Sequence, residues 1–159
     1  MIIGIINRKA IRRAVPVARR LLSNMTKPQG RCQHFSFLLR RNKILGCGWN
    51  RMDKTHRLAY AKGYTYGTIH SEFHLLNQFN FIIPRNCWLL NIRIGKDGTL
   101  RCAFPCDKCL NLLMTTGLNQ FVCSTNYNSF SLYVLEELAH ESETAGHYQR
   151  AFCMGNNIN

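Results

Sequence analysis

Two short motifs in the sequence carry side chains that can hold a metal ion and move protons. His70-Ser71-Glu72 supplies an imidazole and a carboxylate, and Cys106-Asp107-Lys108-Cys109 supplies two thiols. Two cysteines at this spacing can reach one tetrahedral ion from the start of a helix, and Pro105 just before them favours such a start. Together the motifs predict a Zn²⁺ site formed by His70, Cys106 and Cys109.

The number of predicted ligands indicates which kind of zinc site this is. One imidazole and two thiolates leave the fourth tetrahedral position open for water, which is typical of catalytic zinc. Glu72 is then the predicted catalytic residue, placed to move protons without binding the ion. Two alternatives stay open: a closed structural site with His74 as the fourth ligand, which leaves Glu72 without a task, and a redox role for the cysteine pair.

The apolar pattern predicts the elements that position these motifs. Short apolar runs joined by charged or Gly-containing turns are typical of strands, and longer periodic runs are typical of helices. The last two strands are joined by residues 125–130, too few for a crossover helix, so they are expected to be antiparallel. The predicted order is strands 34–39 and 44–49, helix 70–79, strands 88–94 and 100–104, helix 106–116, strands 121–124 and 131–135, and a last helix over 136–143.

His-x-Glu followed by Pro-Cys-x-x-Cys resembles the motif pair of the cytidine deaminase-like superfamily of zinc-dependent nucleobase deaminases. The resemblance covers about residues 34 to 135. It implies an α/β three-layer fold, with a mixed five-stranded sheet flanked by helices, and hydrolysis of cytosine to uracil with Glu72 shuttling protons. Ser71 departs from the Ala or Val usual in the family, as do Phe104 before the Pro and Leu110-Asn111 after Cys109.

The resemblance also implies contacts to a substrate. Asn50 matches the family's asparagine that holds the sugar of the target nucleoside, although a residue ending a strand is the simpler interpretation. Ser71, Phe104 and Tyr127 complete the predicted substrate contacts.

Positive charge is concentrated at the start of the chain. The net charge is +13, and the first 52 residues contain twelve Lys or Arg and no acidic residue. Such a block predicts a polyanionic partner, either nucleic acid or a membrane surface. Aromatic side chains between cations are typical of proteins that bind an unpaired strand. A solvated basic face that aids solubility is the alternative. The candidate nucleic-acid contacts are Arg12, Arg13, Arg19, Arg20, Lys54, Arg57, Lys62, Tyr64 and Tyr66.

Single-stranded DNA is therefore the favoured partner and substrate. The alternatives are a free deoxycytidylate or cytidine deaminase, a tRNA adenosine deaminase and, outside enzymes, a zinc-stabilised nucleic-acid-binding module. The enzymatic hypotheses predict that Glu72→Ala abolishes function, whereas the non-enzymatic module predicts that this variant keeps its function.

The chain divides into a basic N-terminal helix and connector, residues 1–30, and a deaminase domain, residues 31–159. The helix is expected over residues 7–23 with a break or kink at Pro16, although an acid-free, Arg-rich start is also typical of an organellar transit peptide. No apolar segment is long enough to span a membrane. An intracellular, cytoplasmic monomer is expected, with single cysteines reduced and buried at positions 32, 47, 87, 102, 123 and 153.

Overall fold

The computed structural model describes residues 7–25, 32–65, 67–126 and 128–142, and only the backbone of residues 32 and 139–142. Pairs of strands alternate with helices along these ranges, in the order that the sequence pattern predicts apart from one additional short helix. In chain order they are α1 (Arg8–Ser23), β1 (Cys32–Arg40), β2 (Lys43–Trp49), α2 (Arg57–Ala61), α3 (Ser71–Gln78), β3 (Cys87–Gly95), β4 (Leu100–Arg101), α4 (Asp107–Met114), β5 (Gln120–Ser124), β6 (Phe130–Val134) and α5 (Leu135–Ser142).

One mixed sheet organises the fold. Its strands lie in the order β2-β1-β3-β5-β6, and the two-residue β4 pairs with β3 outside this path. The β3–β5 pair is parallel and every other pair is antiparallel. The predicted antiparallel pairing of the last two strands is confirmed, as is an α/β fold with a mixed sheet flanked by helices. The main path has the five strands predicted, and the strand predicted over residues 100–104 is the two-residue β4 beside it.

Helices cover both faces of the sheet. Apolar residues of α3, α4 and α5 form one core with β1, β3 and β5 through residues such as Phe73, Leu113 and Phe121. On the other face α1 buries Ala10, Ile11, Ala14 and Ala18 against β1 and β3. The sheet is therefore the middle of three layers.

Three expectations need correction. Pro16 lies on the exposed side of α1 and the helix runs through it, because buried alanines on both sides pack on the same sheet face and outweigh one missing backbone hydrogen bond. Residues 51–69, where the sequence pattern predicts a long loop between the second strand and the helix at 70–79, contain the short helix α2. Cys102 is disulfide-bonded rather than reduced, whereas Cys47, Cys87 and Cys123 are free as expected. Of these three, Cys123 is buried as predicted and Cys47 and Cys87 are half-buried.

The predicted connector lies almost wholly outside the described residues, as do Tyr66, Tyr127, Cys153 and the end of the chain. Within the described ranges no helix is both long enough and apolar enough to cross a membrane.

Candidate metal centre

One face of the sheet changes from apolar to polar to charged along β1 and β3. Alternate residues of a strand point to the same face, so residues two apart follow one another along it. Towards the start of β1 the cross-strand pairs on this face are Leu38 with Leu89, Ser36 with Asn91, and His34 with Arg93. The first pair belongs to the core beneath α3 and α4, and the other two lie where those helices begin.

The predicted metal ligands come together at these helix starts. His70 is the N-cap residue of α3, Cys106 is the N-cap residue of α4, and Cys109 lies in the first turn of α4. Their ligand atoms all lie within 4.8 Å of one another. His70 Nδ1 is 3.4 Å from Cys106 Sγ and 3.5 Å from Cys109 Sγ. The three side chains therefore form a cluster that could bind a metal ion.

The cluster fits zinc in size and in donor chemistry. Zn–N and Zn–S bonds of usual length at a tetrahedral angle place the nitrogen and sulfur ligands about 3.6 Å apart. Both N···S distances in the cluster are within about 0.2 Å of that value. Thiolate and imidazole ligands also suit zinc better than the hard cations Mg²⁺ and Ca²⁺.

Electrostatics favour a thiolate in the cluster. Hydrogen bonds from Cys109 and His70 lower the pKa of Cys106 to about 4, against the opposing effect of burial. The hydrogen bond to Cys106 in turn raises the pKa of His70. Burial raises the pKa of Cys109, whose Sγ lies 3.3 Å from the hydroxyl of Tyr64. A bound cation would displace the protons held by Cys109 and His70.

The proposed fourth ligand, His74, lies elsewhere. Its Nδ1 is 3.1 Å from Trp49 O and 3.2 Å from Trp49 N, and its ring packs edge-on against the indole. The metal cluster of the described residues contains His70, Cys106 and Cys109 without it. The closed two-cysteine, two-histidine site is therefore not formed.

Glu72 is buried beside the cluster in a ring of polar side chains. Asn91 Nδ2 donates to Glu72 Oε1 at 3.0 Å, and Ser71 Oγ donates to Oε2 at 3.1 Å. Ser36 Oγ closes the ring, 2.9 Å from Ser71 Oγ and 2.7 Å from Asn91 Oδ1. All four side chains are at most 5% exposed. The carboxyl group is held in one place by partners on β1, α3 and β3.

This ring bears on the protonation of Glu72. Four contacts form the ring, and the Asn91 amide and the two serine hydroxyls supply one hydrogen each. One contact therefore lacks a hydrogen while Glu72 is ionised, and a protonated Glu72 supplies it. Burial acts in the same direction and raises the pKa of Glu72. The side chain is therefore suited to hold a proton and release it, as a general acid and base must.

A cavity of about 390 Å³ opens over the cluster. His70, Glu72 and Cys106 line it, together with residues of the sheet and of the segment after β2. This volume is in the range of small-molecule sites and is enough for a nucleobase and its sugar. Two of the three candidate metal ligands and the carboxyl group therefore face a space that a substrate can enter.

Three predicted substrate contacts also line the cavity: Asn50, Ser71 and Phe104. Asn50 Oδ1 accepts from the backbone N–H of His34 at 2.8 Å and from Gln33 Nε2, so its amide NH₂ is the group left for a ligand. Phe104 forms a wall whose ring packs against those of Phe121 and Tyr133. Tyr127 lies outside the described residues.

The predicted nucleic-acid contacts fall into separate groups. Arg12, Arg13, Arg19 and Arg20 are exposed on α1, on the sheet face opposite the cavity. Lys54, Arg57 and Lys62 are exposed in the segment 51–65, whose neighbouring residues Met52 and Ile69 line the cavity. Tyr64 is only 3% exposed and packs edge-on against His70, so it belongs to the wall of the metal cluster and not to a nucleic-acid surface.

The sequence analysis missed His34, Ser36, Asn91 and Arg93. These residues interrupt otherwise apolar strands at alternate positions, and that spacing is the signal that could have identified them. His34 and Arg93 line the cavity. Burial and the neighbouring Arg93 lower the pKa of His34 to about 3, so its imidazole is neutral near neutral pH.

Comparisons with known proteins add nothing to this assignment: no protein-family model and no curated protein matches the chain.

Proposed function

We propose that this protein is a zinc-dependent hydrolytic deaminase that converts cytosine to uracil. The observation that carries the proposal is the buried carboxyl group of Glu72 beside a three-ligand His-Cys-Cys cluster, with both facing one cavity. A purely structural metal site needs neither the carboxyl group nor the cavity.

The residues divide the chemistry between them. His70, Cys106 and Cys109 would hold the ion, which when bound supplies a water molecule activated as a nucleophile. Glu72 takes a proton from that water at a carboxylate oxygen and passes it to the cytosine ring nitrogen. It then takes the second proton, from the hydroxyl now bonded to C4, and gives it to the leaving amine. The C4–N bond breaks, ammonia leaves and the carbonyl of uracil forms, so water is the only co-reactant.

Single-stranded DNA is the first substrate candidate. A deaminase must reach an unstacked base, and the exposed cations Lys54, Arg57 and Lys62 lie on the segment that borders the cavity. A free cytidine nucleotide is the second candidate. It is favoured by the position of the α1 arginines on the opposite face, because that leaves a small number of cations near the cavity.

The central test uses Glu72→Ala and Glu72→Gln in purified protein. The wild type is expected to contain about one zinc per chain and to convert cytosine to uracil, in an unpaired oligonucleotide or in deoxycytidylate. Both variants should keep the zinc and lose at least about 100-fold in turnover, the usual contribution of a general acid or base. Glu137→Ala, which removes an exposed carboxylate on α5, is the matched control and should retain activity.

Two outcomes would count against the proposal. Wild-type turnover that survives Glu72→Ala would remove Glu72 from the mechanism. Zinc binding and nucleic-acid binding without turnover of any cytosine substrate would favour the non-catalytic module.

A further inference from the structure

Arg93 is a cation in the wall of the cavity with few partners. Its Nη1 donates to the backbone oxygen of Cys102 at 3.4 Å, whereas its Nε is buried and has no hydrogen-bond partner among the described residues. The ion pairs found in the described ranges are Arg51 with Asp53 and Arg101 with Asp97, so no carboxylate is paired with Arg93.

Among the described residues, the cavity wall around Arg93 contains no group that neutralises it. Glu72 is the one acidic side chain in the cavity wall of the described structure, and its two oxygens already accept from Asn91 and Ser71. His34, opposite Arg93 on β1, is neutral and can donate a hydrogen bond but supplies no negative charge. A half-buried guanidinium without a counterion is costly, and an anionic ligand would remove that cost.

The position of Arg93 limits what the anion can be. It shares the cavity wall with Asn50, the residue proposed to contact the sugar, and with Glu72, the residue proposed to face the base. An anion attached to the sugar of a cytosine nucleotide is a phosphate, and guanidinium groups bind phosphate oxygens through two parallel hydrogen bonds.

We propose that Arg93, with His34 beside it, binds the phosphate of the nucleotide whose cytosine is deaminated. This inference rests on the proposed function for the identity of the base. It makes the substrate a nucleotide rather than a free nucleoside. The phosphate can come from two sources, the monoester of a free nucleotide or the diester of a single strand.

Binding of the reaction products separates this proposal from catalysis. We would measure the affinity of zinc-loaded protein for deoxyuridine, for deoxyuridylate and for a short unpaired oligonucleotide with one deoxyuridine, by calorimetry. The wild type should bind deoxyuridylate or the oligonucleotide at least about tenfold more tightly than deoxyuridine, in line with a charge-assisted contact. Tighter binding of deoxyuridylate identifies the free nucleotide, and tighter binding of the oligonucleotide identifies the strand.

Arg93→Gln should abolish the preference for deoxyuridylate and weaken binding of the oligonucleotide about tenfold, while the affinity for deoxyuridine stays within about twofold. Exposed cations such as Lys54 can still contact the other phosphates of the oligonucleotide. Arg93→Lys should keep part of it, because the charge remains and the paired hydrogen bonds are lost. Arg101→Gln is the matched control, since Arg101 lies opposite Arg93 on β4 but is exposed and paired with Asp97. This variant should bind all three ligands like the wild type.

Equal affinity of the wild type for deoxyuridine and both phosphorylated ligands would overturn the proposal, even if the variants fail to fold. A preference for the phosphorylated ligands that Arg93→Gln leaves undiminished would overturn it as well. If the preference depends on Arg93 but no cytosine substrate is turned over, the phosphate site stands and the proposed deaminase function fails.

Discussion

Asn91 Nδ2 donates a hydrogen bond to Glu72 Oε1 over 3.0 Å, and both side chains are almost fully buried. The residues lie on different elements, β3 and α3, and the contact fixes the carboxyl group relative to the sheet. Ser36 on β1 holds the oxygen of the same Asn91 amide. The amide cannot rotate without breaking both hydrogen bonds, so the orientation of Glu72 depends on two residues remote from it in sequence.

Replacing Asn91 should therefore impair turnover more than substrate binding. Asn91→Ala is expected to lower kcat about 10- to 100-fold with a small change in KM and with zinc content unchanged, because the carboxyl group loses its orientation and the metal ligands do not. Ser36→Ala should also lower kcat, by a smaller factor. Zinc analysis and steady-state kinetics on the same preparations check this.

Thr115→Val is a suitable control for loss of a hydrogen bond alone. The Thr115 hydroxyl donates to Leu112 O at the end of α4, away from Glu72. If Asn91→Ala and Thr115→Val show equal kcat, Asn91 has no positioning role.

The seating of α3 on the sheet depends on Gly48 of β2. A Cβ atom at this position would overlap the backbone of α3 at Ser71 and Leu75. Gly48→Ala should therefore push away the helix that carries His70 and Glu72, lower the free energy of unfolding by about 1 to 3 kcal/mol and weaken zinc binding. Denaturant unfolding and a zinc titration with a chelator competitor measure these two effects.

Gly46→Ala provides the comparison on the same strand. Its added Cβ would approach the ring of Phe79, at 2.8 Å from Cε2, and that side chain can turn away. The loss in zinc affinity should be specific to Gly48→Ala. Equal losses in both variants would mean that the helix is not seated through Gly48.

Local sequence patterns predicted much of this fold. The hairpin of β1 and β2, the two helix starts that carry the metal ligands, and the antiparallel last pair follow from apolar periodicity and turn residues within short windows. The His-Cys-Cys cluster also follows from the spacing of ligand types, since both motifs begin helices.

The parts that the sequence did not reveal depend on contacts between distant residues. Ser36 and Asn91 are far apart in the chain and meet because β1 pairs with β3 in one register. A one-residue slip would turn both side chains to the other face, and no local pattern specifies that register. Tertiary packing also decides which face of the sheet α1 covers, and the local sequence does not specify that face. Because α1 packs on the face opposite the cavity, its arginines lie away from the cavity.

His34 should make folding sensitive to mild acid. Its pKa is about 3 in the folded protein, against 6.5 for an unperturbed histidine, so between these values the unfolded chain binds a proton that the folded chain does not. The free energy of unfolding is therefore highest above pH 6.5, where His34 is neutral in both states, and decreases as the pH falls below 6.5. Between pH 7 and pH 5 the loss amounts to about 2 kcal/mol.

His34→Gln removes this titration and keeps a polar side chain. Denaturant unfolding at pH 7, 6 and 5 should show a shallower pH dependence for the variant than for the wild type. His74, whose pKa burial also lowers, contributes equally to both proteins. Parallel pH profiles would show that His34 is not kept neutral by the fold.

The arginines of α1 should affect binding of long polyanions without affecting chemistry in the cavity. They are exposed on the opposite face of the sheet, where Arg13 donates to Asn42 O in the turn between β1 and β2 and extends the basic surface towards Arg41. Each phosphate that such a surface neutralises adds about 0.7 to the slope of log affinity against log salt for a single strand. Joint replacement of Arg12, Arg13, Arg19 and Arg20 by Ala should reduce that slope by up to about 3 for an oligonucleotide, measured by fluorescence anisotropy between 50 and 200 mM salt.

Turnover of deoxycytidylate should stay within about twofold of the wild type, since this ligand is too small to reach from the cavity to α1. An unchanged salt slope would mean that α1 does not contact the oligonucleotide, and a large fall in deoxycytidylate turnover would mean that α1 supports the cavity through the sheet.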